Sequence, residues 1–244
     1  MMPDNTYPVT KKLYEITVSR PDTPEVQLVR MKAVDGTAMN FDAGMFVMIY
    51  GIDAAGKEYV GRAFSIASEP SAQEMEFFVV KEHGGHVSHF TETKPGDRYS
   101  VVGPHGQFKF VPGVDKKVLF IAGGTGLAPF MSMIRHLKKL GSDTDAVLLY
   151  SIKFPTEILV KDELYQLCTG LGIKLVITVT RPQEGDGWSG ETGHIGADMI
   201  KKHAPDVKER VSYVCGPLPF VNAIKDALVQ LDVPKNEIKA DVWG

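Results

Sequence analysis

The sequence predicts two domains of different fold class, an antiparallel β-barrel followed by an α/β domain with a Rossmann-like parallel sheet. The first ~110 residues read as short strands separated by turn residues, with little helical periodicity. After Pro112-Gly113, the continuous apolar run Lys117–Ala122 leads into a glycine-rich turn and then into apolar residues at helical spacing. Strand-like and helix-like segments then alternate, which is typical of βαβ units. We expect a barrel domain over residues 1–113 and an α/β domain over residues 114–244.

Several short runs predict the strands of the barrel, namely Leu13–Val18, Val26–Lys32, Met45–Tyr50, Glu76–Lys81 and Tyr99–Val102. Turn residues separate them, at Pro21-Asp22, Val34-Asp35-Gly36, Asp53–Gly56 and Pro95-Gly96-Asp97. One helix is expected from about Val87 to Thr93, because this stretch carries no strand alternation.

In the second domain, further strands are expected at Val147–Ile152, Leu175–Thr180 and Val211–Cys215. Helices are expected from Phe130 to Leu140 and at Lys161–Gly170, Ala197–His203 and Pro219–Leu231.

Composition argues against several classes of function. The 244 residues carry a net charge of −3, whereas a nucleic-acid partner calls for a concentrated basic face. No run approaches the ~18 apolar residues that a membrane span needs. Only two cysteines occur, Cys168 and Cys215, which excludes a disulfide framework or a cluster held by four thiolates of this chain. The N-terminal residues lack the apolar core of a signal peptide, so we expect a cytoplasmic protein.

The segment AGGTGLAPF, residues 122–130, predicts a phosphate-binding turn between a strand and a helix. Gly124 and Gly126 allow the backbone to approach a pyrophosphate, and the helix N-terminus supplies free N–H groups. Pro129 occupies a first-turn position, where its missing N–H costs nothing. Pro129 also stands where the full G-x-G-x-x-G fingerprint has its third glycine, so a tight turn without a ligand is the alternative.

Two strand ends in the same domain carry cations. The second strand ends at Lys153 and the third at Thr180-Arg181, and no acid follows the second strand until Glu157. A lysine and an arginine at these positions favour a 2′-phosphate over a bare ribose, and hence NADPH. Solvated surface charges are the alternative.

In the barrel, the segment GRAFSIAS combines a cation, an aromatic ring and a hydroxyl. On a strand, Arg62 and Phe64 share one face and Ser65 lies on the other. An arginine fork suits a phosphate, an aromatic ring stacks on a flat heterocycle, and a hydroxyl bonds a ring nitrogen. A barrel strand with one exposed arginine is an equally valid interpretation of the spacing.

The segment VVKEHGGHVS, residues 79–88, places a Gly-Gly turn before the expected helix, a second candidate anion site. His83, His86 and His89 suggest a metal site, but Gly84-Gly85 interrupts regular helix and no thiolate completes a ligand set. We therefore predict no metal.

Together these segments resemble the ferredoxin–NADP(+) reductase family. GRAFSIAS, VVKEHGGHVS, GPHGQF, AGGTGLAPF, ITVTRP and VCGPLPFV occur in the family's order over nearly the whole chain. The resemblance implies a six-stranded FAD-binding barrel and a Rossmann-like NAD(P)-binding domain, with the two cofactors meeting at the interface.

The resemblance also implies roles for individual barrel residues. Arg62 would hold the FAD phosphate, Phe64 would stack on the flavin where the family usually has tyrosine, and Ser65 would bond flavin N5. The residues implied to line FAD are Arg62, Ala63, Phe64, Ser65, Val79, Val80, Lys81, Gly85, His86, Val87 and Ser88.

On the nicotinamide side, the implied binding residues are Gly124, Thr125, Gly126, Leu127, Lys153, Thr180, Arg181, Cys215, Gly216, Pro217 and Trp243. Trp188-Ser189-Gly190 lies where NADPH-using members often carry a tyrosine, and this stretch resembles some NADH-using relatives. FAD and NADPH are thus the expected cofactors, with NADH as the alternative.

The implied catalytic residues are Ser65, Cys215, Asp241 and Trp243. Cys215 resembles the cysteine beside the nicotinamide, although a small buried hydrophobe is the alternative. The ending Asp241–Gly244 resembles the acid-x-aromatic terminus of plant-type members, in which the aromatic covers the flavin; covering the adenine or packing the tail are the alternatives for Trp243. Asp241 would relay a proton.

The function implied is hydride transfer between NAD(P)H and bound FAD, followed by single-electron transfer to a separate redox protein such as ferredoxin, flavodoxin or an oxygenase component. A reductase of free flavin and a nucleotide-binding protein without turnover are the two alternatives.

Overall fold

A computed structural model describes residues 7–53, 55–81 and 89–243 and contains two six-stranded sheets. The first is antiparallel and nearly closes into a barrel; the second is parallel and belongs to an α/β domain. The predicted fold class is therefore confirmed. The predicted limits of the two domains stay a prediction.

The barrel strands follow the order β4-β3-β6-β1-β2-β5. They are β1 (Thr10–Thr23), β2 (Val26–Ala33), β3 (Phe46–Gly51), β4 (Arg62–Ser65), β5 (Met75–Val80) and β6 (Arg98–His105). Inward-facing residues alternate with more exposed ones along β3, as expected of a strand with one buried face. Each strand run predicted for the barrel overlaps one of these strands.

One predicted turn in the barrel is wrong. Strand β1 continues through Pro21-Asp22 and turns only at Pro24-Glu25. The pairing of β1 with β2 shifts register between Pro21 and Thr23. A proline is tolerated at such an irregularity, because its missing N–H costs no regular ladder bond there.

The predicted helix from Val87 to Thr93 is described only in part. His89–Glu92 form a short 3-10 helix, while residues 82–88 lie outside the described residues.

The parallel sheet has the order β10-β9-β8-β7-β11-β12, with helices between its strands. Its elements are β7 (Lys117–Gly123), α1 (Ala128–Leu140), β8 (Asp145–Ile152), α2 (Lys161–Leu171), β9 (Lys174–Val179), β10 (Glu191–Thr192), α3 (Ala197–His203), β11 (Val211–Pro217), α4 (Leu218–Gln230) and β12 (Ile238–Trp243). The sequence predicted all of them except the two edge strands, β10 and β12.

The largest hydrophobic cluster crosses from one domain into the other. Leu28, Phe78 and Phe108 of the barrel domain belong to the same buried cluster as Phe120 and Phe130 of the α/β domain. Phe108 makes edge-to-face contacts with both Phe130 and Tyr213. The two domains are therefore joined by a shared apolar core.

Among the helices of the described ranges, none has both the length and the apolar character needed to cross a bilayer.

Candidate functional site

The carboxyl ends of the parallel strands place most of the predicted dinucleotide residues along one edge. Arg181 follows β9, Lys153 follows β8, the glycine turn follows β7, and Cys215 lies near the end of β11. Adjacent strands are about 4.8 Å apart, so the line from β9 to β11 is roughly 14 Å long. Open α/β sheets bind ligands at this edge, and the length suits an extended dinucleotide.

The glycine turn forms a 3-10 turn, Gly124–Leu127, that leads directly into α1. A Cβ on Gly126 would overlap the carbonyl of Cys215, so the turn lies directly on the end of β11. Gly124 has a φ of +55°, and no atom lies within 4 Å of the position that its Cβ would take. The turn is thus packed on one side and open on the other, as a pyrophosphate cradle requires.

Leu127 is fully buried, whereas Thr125 is partly exposed. Leu127 therefore anchors the turn in the core, and its role in cofactor binding stays a prediction. Pro129 lies in the first turn of α1, as predicted.

The two predicted phosphate-binding cations are neighbours. The backbone N–H of Arg181 donates to the Lys153 carbonyl at 3.0 Å, and both residues are exposed. The hydroxyl of Thr180 donates to the Ile152 carbonyl at 3.1 Å. These bonds align the ends of β8 and β9, so that two cationic side chains start from adjacent backbone positions.

A carboxylate lies at the same strand ends. Glu157 accepts a hydrogen bond from the backbone N–H of Lys153 at 3.0 Å. In the sequence, Glu157 stood out only as the first acidic residue after the second strand. Its hydrogen bond to Lys153 places Glu157 at the same strand ends as the two cations.

Cys215 and Asp241 are paired across β11 and β12. Cys215 is fully buried, and burial, together with the Asp241 carboxylate, raises the pKa of the thiol well above its ordinary value. Burial also raises the pKa of Asp241. A neutral thiol is a poor nucleophile, so Cys215 is suited to shaping a pocket and not to covalent chemistry.

Gly216 and Pro217 continue β11 beyond Cys215. A Cβ on Gly216 would lie 2.7 Å from the Phe220 ring, and one on Gly123 would lie 3.0 Å from it. Phe220 therefore fills the space between β7 and β11 just below the glycine turn. Sequence reasoning missed this role, although Phe220 lies within VCGPLPFV.

On the barrel side, Arg62 and Ala63 are exposed and Phe64 and Ser65 are partly exposed. Phe64 lies opposite the fully buried Val47 on β3, so it shares the inner face of the barrel. Its ring contacts Phe90 at a centroid distance of 4.9 Å. Apolar neighbours thus fix the ring, and its stacking on flavin stays a prediction.

The predicted second flavin-lining segment is described only to Lys81. Val79 is buried in the barrel core, Val80 is exposed, and the Lys81 ammonium donates to the Pro24 carbonyl at 2.9 Å. Gly85, His86, Val87 and Ser88 lie outside the described residues, as does the side chain of Trp243. In the ranges that the structure does describe, no three His, Cys, Asp or Glu side chains are grouped as metal ligands.

Helix α1 also contacts the barrel just beyond β4. Ser132 and Arg135 donate to the carbonyls of Ser68 and Ala67, at 2.7 and 2.8 Å. Neither residue was predicted from the sequence. Through them the glycine turn and the predicted flavin strand belong to one connected region.

Two family models match the chain. Residues 16–110 match the model of the oxidoreductase FAD-binding domain, and residues 120–226 match that of the oxidoreductase NAD-binding domain. The chain is 31% identical over 236 residues to ferredoxin–NADP reductase B of Sorangium cellulosum, covering 91% of this chain and 93% of that protein.

Two longer relatives extend the comparison. The reductase subunit of stachydrine N-demethylase from Rhizobium meliloti is 29% identical over 221 residues, which cover 89% of this chain and 62% of that subunit. The ferredoxin reductase in carbazole 1,9a-dioxygenase superimposes with a TM-score of 0.83 at 25% identity, over 98% of this chain and 71% of that one. The chain thus spans under two thirds of the first of these relatives.

Proposed function

The chain belongs to the ferredoxin–NADP reductase family of FAD- and NAD-binding oxidoreductases, and we propose that it transfers a hydride from NADPH to bound FAD. It then passes single electrons to a separate redox protein. The observation that supports this most is the order of groups along one sheet edge. Cations lie at one end, the open glycine turn in the middle and a buried thiol at the other end, beside the contact with the barrel.

Bound FAD would supply the redox chemistry, namely uptake of a hydride and donation of single electrons. This chain's residues supply binding and orientation. Arg62, exposed on β4, offers a charged fork for the FAD phosphates. Phe64 offers an aromatic surface fixed by Phe90, and the Ser65 hydroxyl offers a donor at flavin N5.

The same residues would orient the nicotinamide cofactor. Gly124 and the turn that follows it accommodate the pyrophosphate at the N-terminus of α1. Cys215 would lie at the nicotinamide end, where its neutral, fully buried thiol adds no charge next to the reacting region. Burial raises the pKa of Asp241, which is paired with Cys215 across β11 and β12 and would relay a proton at this end of the site.

The preference for NADPH rests on two adjacent cations. Arg181 and Lys153 would share the 2′-phosphate, because their backbones are hydrogen-bonded and their side chains are exposed. Glu157 lies at the same turn and would bond the ribose hydroxyl of NADH instead. Because two cationic side chains and one carboxylate lie at this turn, its charge favours the cofactor that carries the 2′-phosphate.

The electron acceptor that we propose is a ferredoxin, a flavodoxin or an oxygenase component. Relatives include a reductase subunit of a demethylase and a ferredoxin reductase in a dioxygenase system. A cytoplasmic location is part of the proposal, because both cysteines of the chain are buried free thiols and its reductant would be a nicotinamide dinucleotide.

The first experiment is a visible spectrum of the purified protein, repeated anaerobically after adding NADPH or NADH. A yellow protein that bleaches faster with NADPH is the expected result. A yellow protein that neither dinucleotide bleaches would contradict the hydride-transfer step. A colourless protein that reduces added flavin would favour the free-flavin reductase.

A further inference from the structure

Two side chains of α1 bind two consecutive carbonyls of the barrel. The Ser132 hydroxyl donates to Ser68, and the Arg135 guanidinium donates to Ala67. Ser132 and Arg135 are three positions apart, so they lie on the same face of the helix. We refer to this pair of hydrogen bonds as the α1 clasp.

The α1 clasp is buried and its geometry is fixed. Ser132 and Ala67 are fully buried, and the Arg135 side chain is only 12% exposed. Arg135 also donates to Glu76 of β5 at 2.7 Å and makes two hydrogen bonds, of 2.8 and 2.7 Å, with Glu163 of α2. A planar guanidinium held at both ends has little freedom to move.

The charge of Arg135 is stable in this position. Burial works against it, but the carboxylates of Glu163 and Glu76 hold the pKa of Arg135 above its ordinary value. Glu76 has a second partner, because Arg30 donates to its other oxygen at 2.8 Å. Loss of the Arg135 guanidinium would therefore leave Glu76 paired, while the Ala67 carbonyl would lose its cationic donor.

Each side of the α1 clasp is close in sequence to one of the two candidate cofactor sites. Ala67 is two residues beyond Ser65 of the flavin strand, and Ser132 is six residues beyond Gly126 of the glycine turn. Both connecting segments are short, and residues 126–132 belong to the turn and to regular helix. The hydrogen bonds therefore tie the position of one site to that of the other.

We propose that Ser132 and Arg135 are positioning residues for hydride transfer, which fix the distance between the flavin strand and the nicotinamide end of the site. The inference rests on the proposed function. Neither residue has to contact a cofactor, so binding of each cofactor should survive their loss. The rate of hydride transfer should not, because a displacement of about 1 Å in a reacting pair costs roughly 100-fold.

The test uses the full chain with FAD bound and measures flavin reduction by anaerobic stopped flow at several dinucleotide concentrations. Arg135→Met removes the charge and the donors, Arg135→Lys restores one donor, and Ser132→Ala removes only a hydroxyl. We expect reduction to be about 100-fold slower in Arg135→Met and about tenfold slower in the other two. FAD content and the half-saturating dinucleotide concentration should stay within about twofold of the wild type.

Arg210→Met is the matched control. Arg210 is also buried, and its guanidinium donates to both carboxylate oxygens of Asp145. It precedes β11 and therefore lies at the amino ends of the parallel strands, away from the glycine turn. Its loss should lower stability without changing the reduction rate. Ser132→Ala keeps the test decisive if Arg135→Met does not fold.

The outcomes separate the two proposals. If NADPH and NADH both fail to reduce the wild type, the proposed function is wrong. A second outcome is that the wild type is reduced. If Ser132→Ala and at least one of the two Arg135 variants are then reduced at the wild-type rate, the positioning role is wrong. A loss of rate of equal size in Arg210→Met would also overturn it, since that loss would report general destabilisation.

Discussion

The two candidate cofactor sites differ in what builds them. On the α/β side, the backbone forms the site: Gly126 lies against Cys215, and the fully buried Leu127 anchors the turn. On the barrel side, side chains form it, with Arg62 and Ala63 exposed on the edge strand β4. The dinucleotide site should therefore be sensitive to added Cβ atoms, and the flavin site to truncated side chains.

The largest expected effect is at the side-chain site. Arg62→Ala should yield a protein with little or no flavin, because a charge-assisted hydrogen bond to phosphate contributes about 1.5–3 kcal/mol, or roughly 10- to 150-fold in affinity. Flavin content by absorbance measures this. Arg98→Ala is the control, since Arg98 is an exposed barrel arginine paired with Glu15. Full flavin content in Arg62→Ala would remove the phosphate role.

The backbone site is tested by adding one carbon. Gly124 and Gly141 have nearly the same left-handed backbone, with φ of +55° and +58°, and both have open space at the Cβ position. Alanine at either position should lower the free energy of unfolding by about 1–2 kcal/mol. Only Gly124→Ala should also raise KM for the dinucleotide, because Gly141 lies at the far end of α1. Equal KM values in the two variants would contradict the cradle.

Arg181→Ala tests a part of the dinucleotide site that depends on a side chain and not on the backbone. KM for NADPH should rise about tenfold, whereas KM for NADH should change little, since one charged hydrogen bond is worth about 1.5 kcal/mol. Steady-state kinetics with both cofactors make the comparison. An equal rise for both would show that Arg181 does not bind the 2′-phosphate.

The smallest effect is expected at Asp241. Burial raises the pKa of Asp241 in the folded protein, so the folded state binds this proton more tightly than the unfolded chain does. The stability that this carboxyl contributes therefore falls as the pH rises from about 4 through the raised pKa. Over that pH interval, the free energy of unfolding of the wild type should fall relative to that of Asp241→Asn. At higher pH the two free energies should change in parallel. Urea midpoints at successive pH values measure this, and parallel curves throughout would contradict it.

Local patterns allowed most of the fold to be predicted. Buried parallel strands such as Lys117–Gly123 are continuous apolar runs, and a helix such as Ala128–Leu140 has apolar residues at helical spacing. Strand β12 was missed because it is an edge strand, in which Ala240 and Val242 are exposed and no apolar run forms.

The site was predicted where its residues are adjacent in sequence. The glycine turn and the strand from Arg62 to Ser65 are short motifs. The α1 clasp joins residues 64 and 68 positions apart, so only the packing of the domains reveals it. The inner position of Phe64 likewise depends on its pairing with Val47 across β3, which no local pattern specifies.

The apolar core shared by the two domains determines how the protein melts. Leu28, Phe78 and Phe108 bury their side chains against the α/β domain, so separating the domains would expose all three to water. Unfolding of either domain would therefore expose apolar side chains of the other domain to water. Calorimetry should accordingly record a single cooperative heat-absorption peak, and a fragment ending near Gly113 should be prone to aggregate.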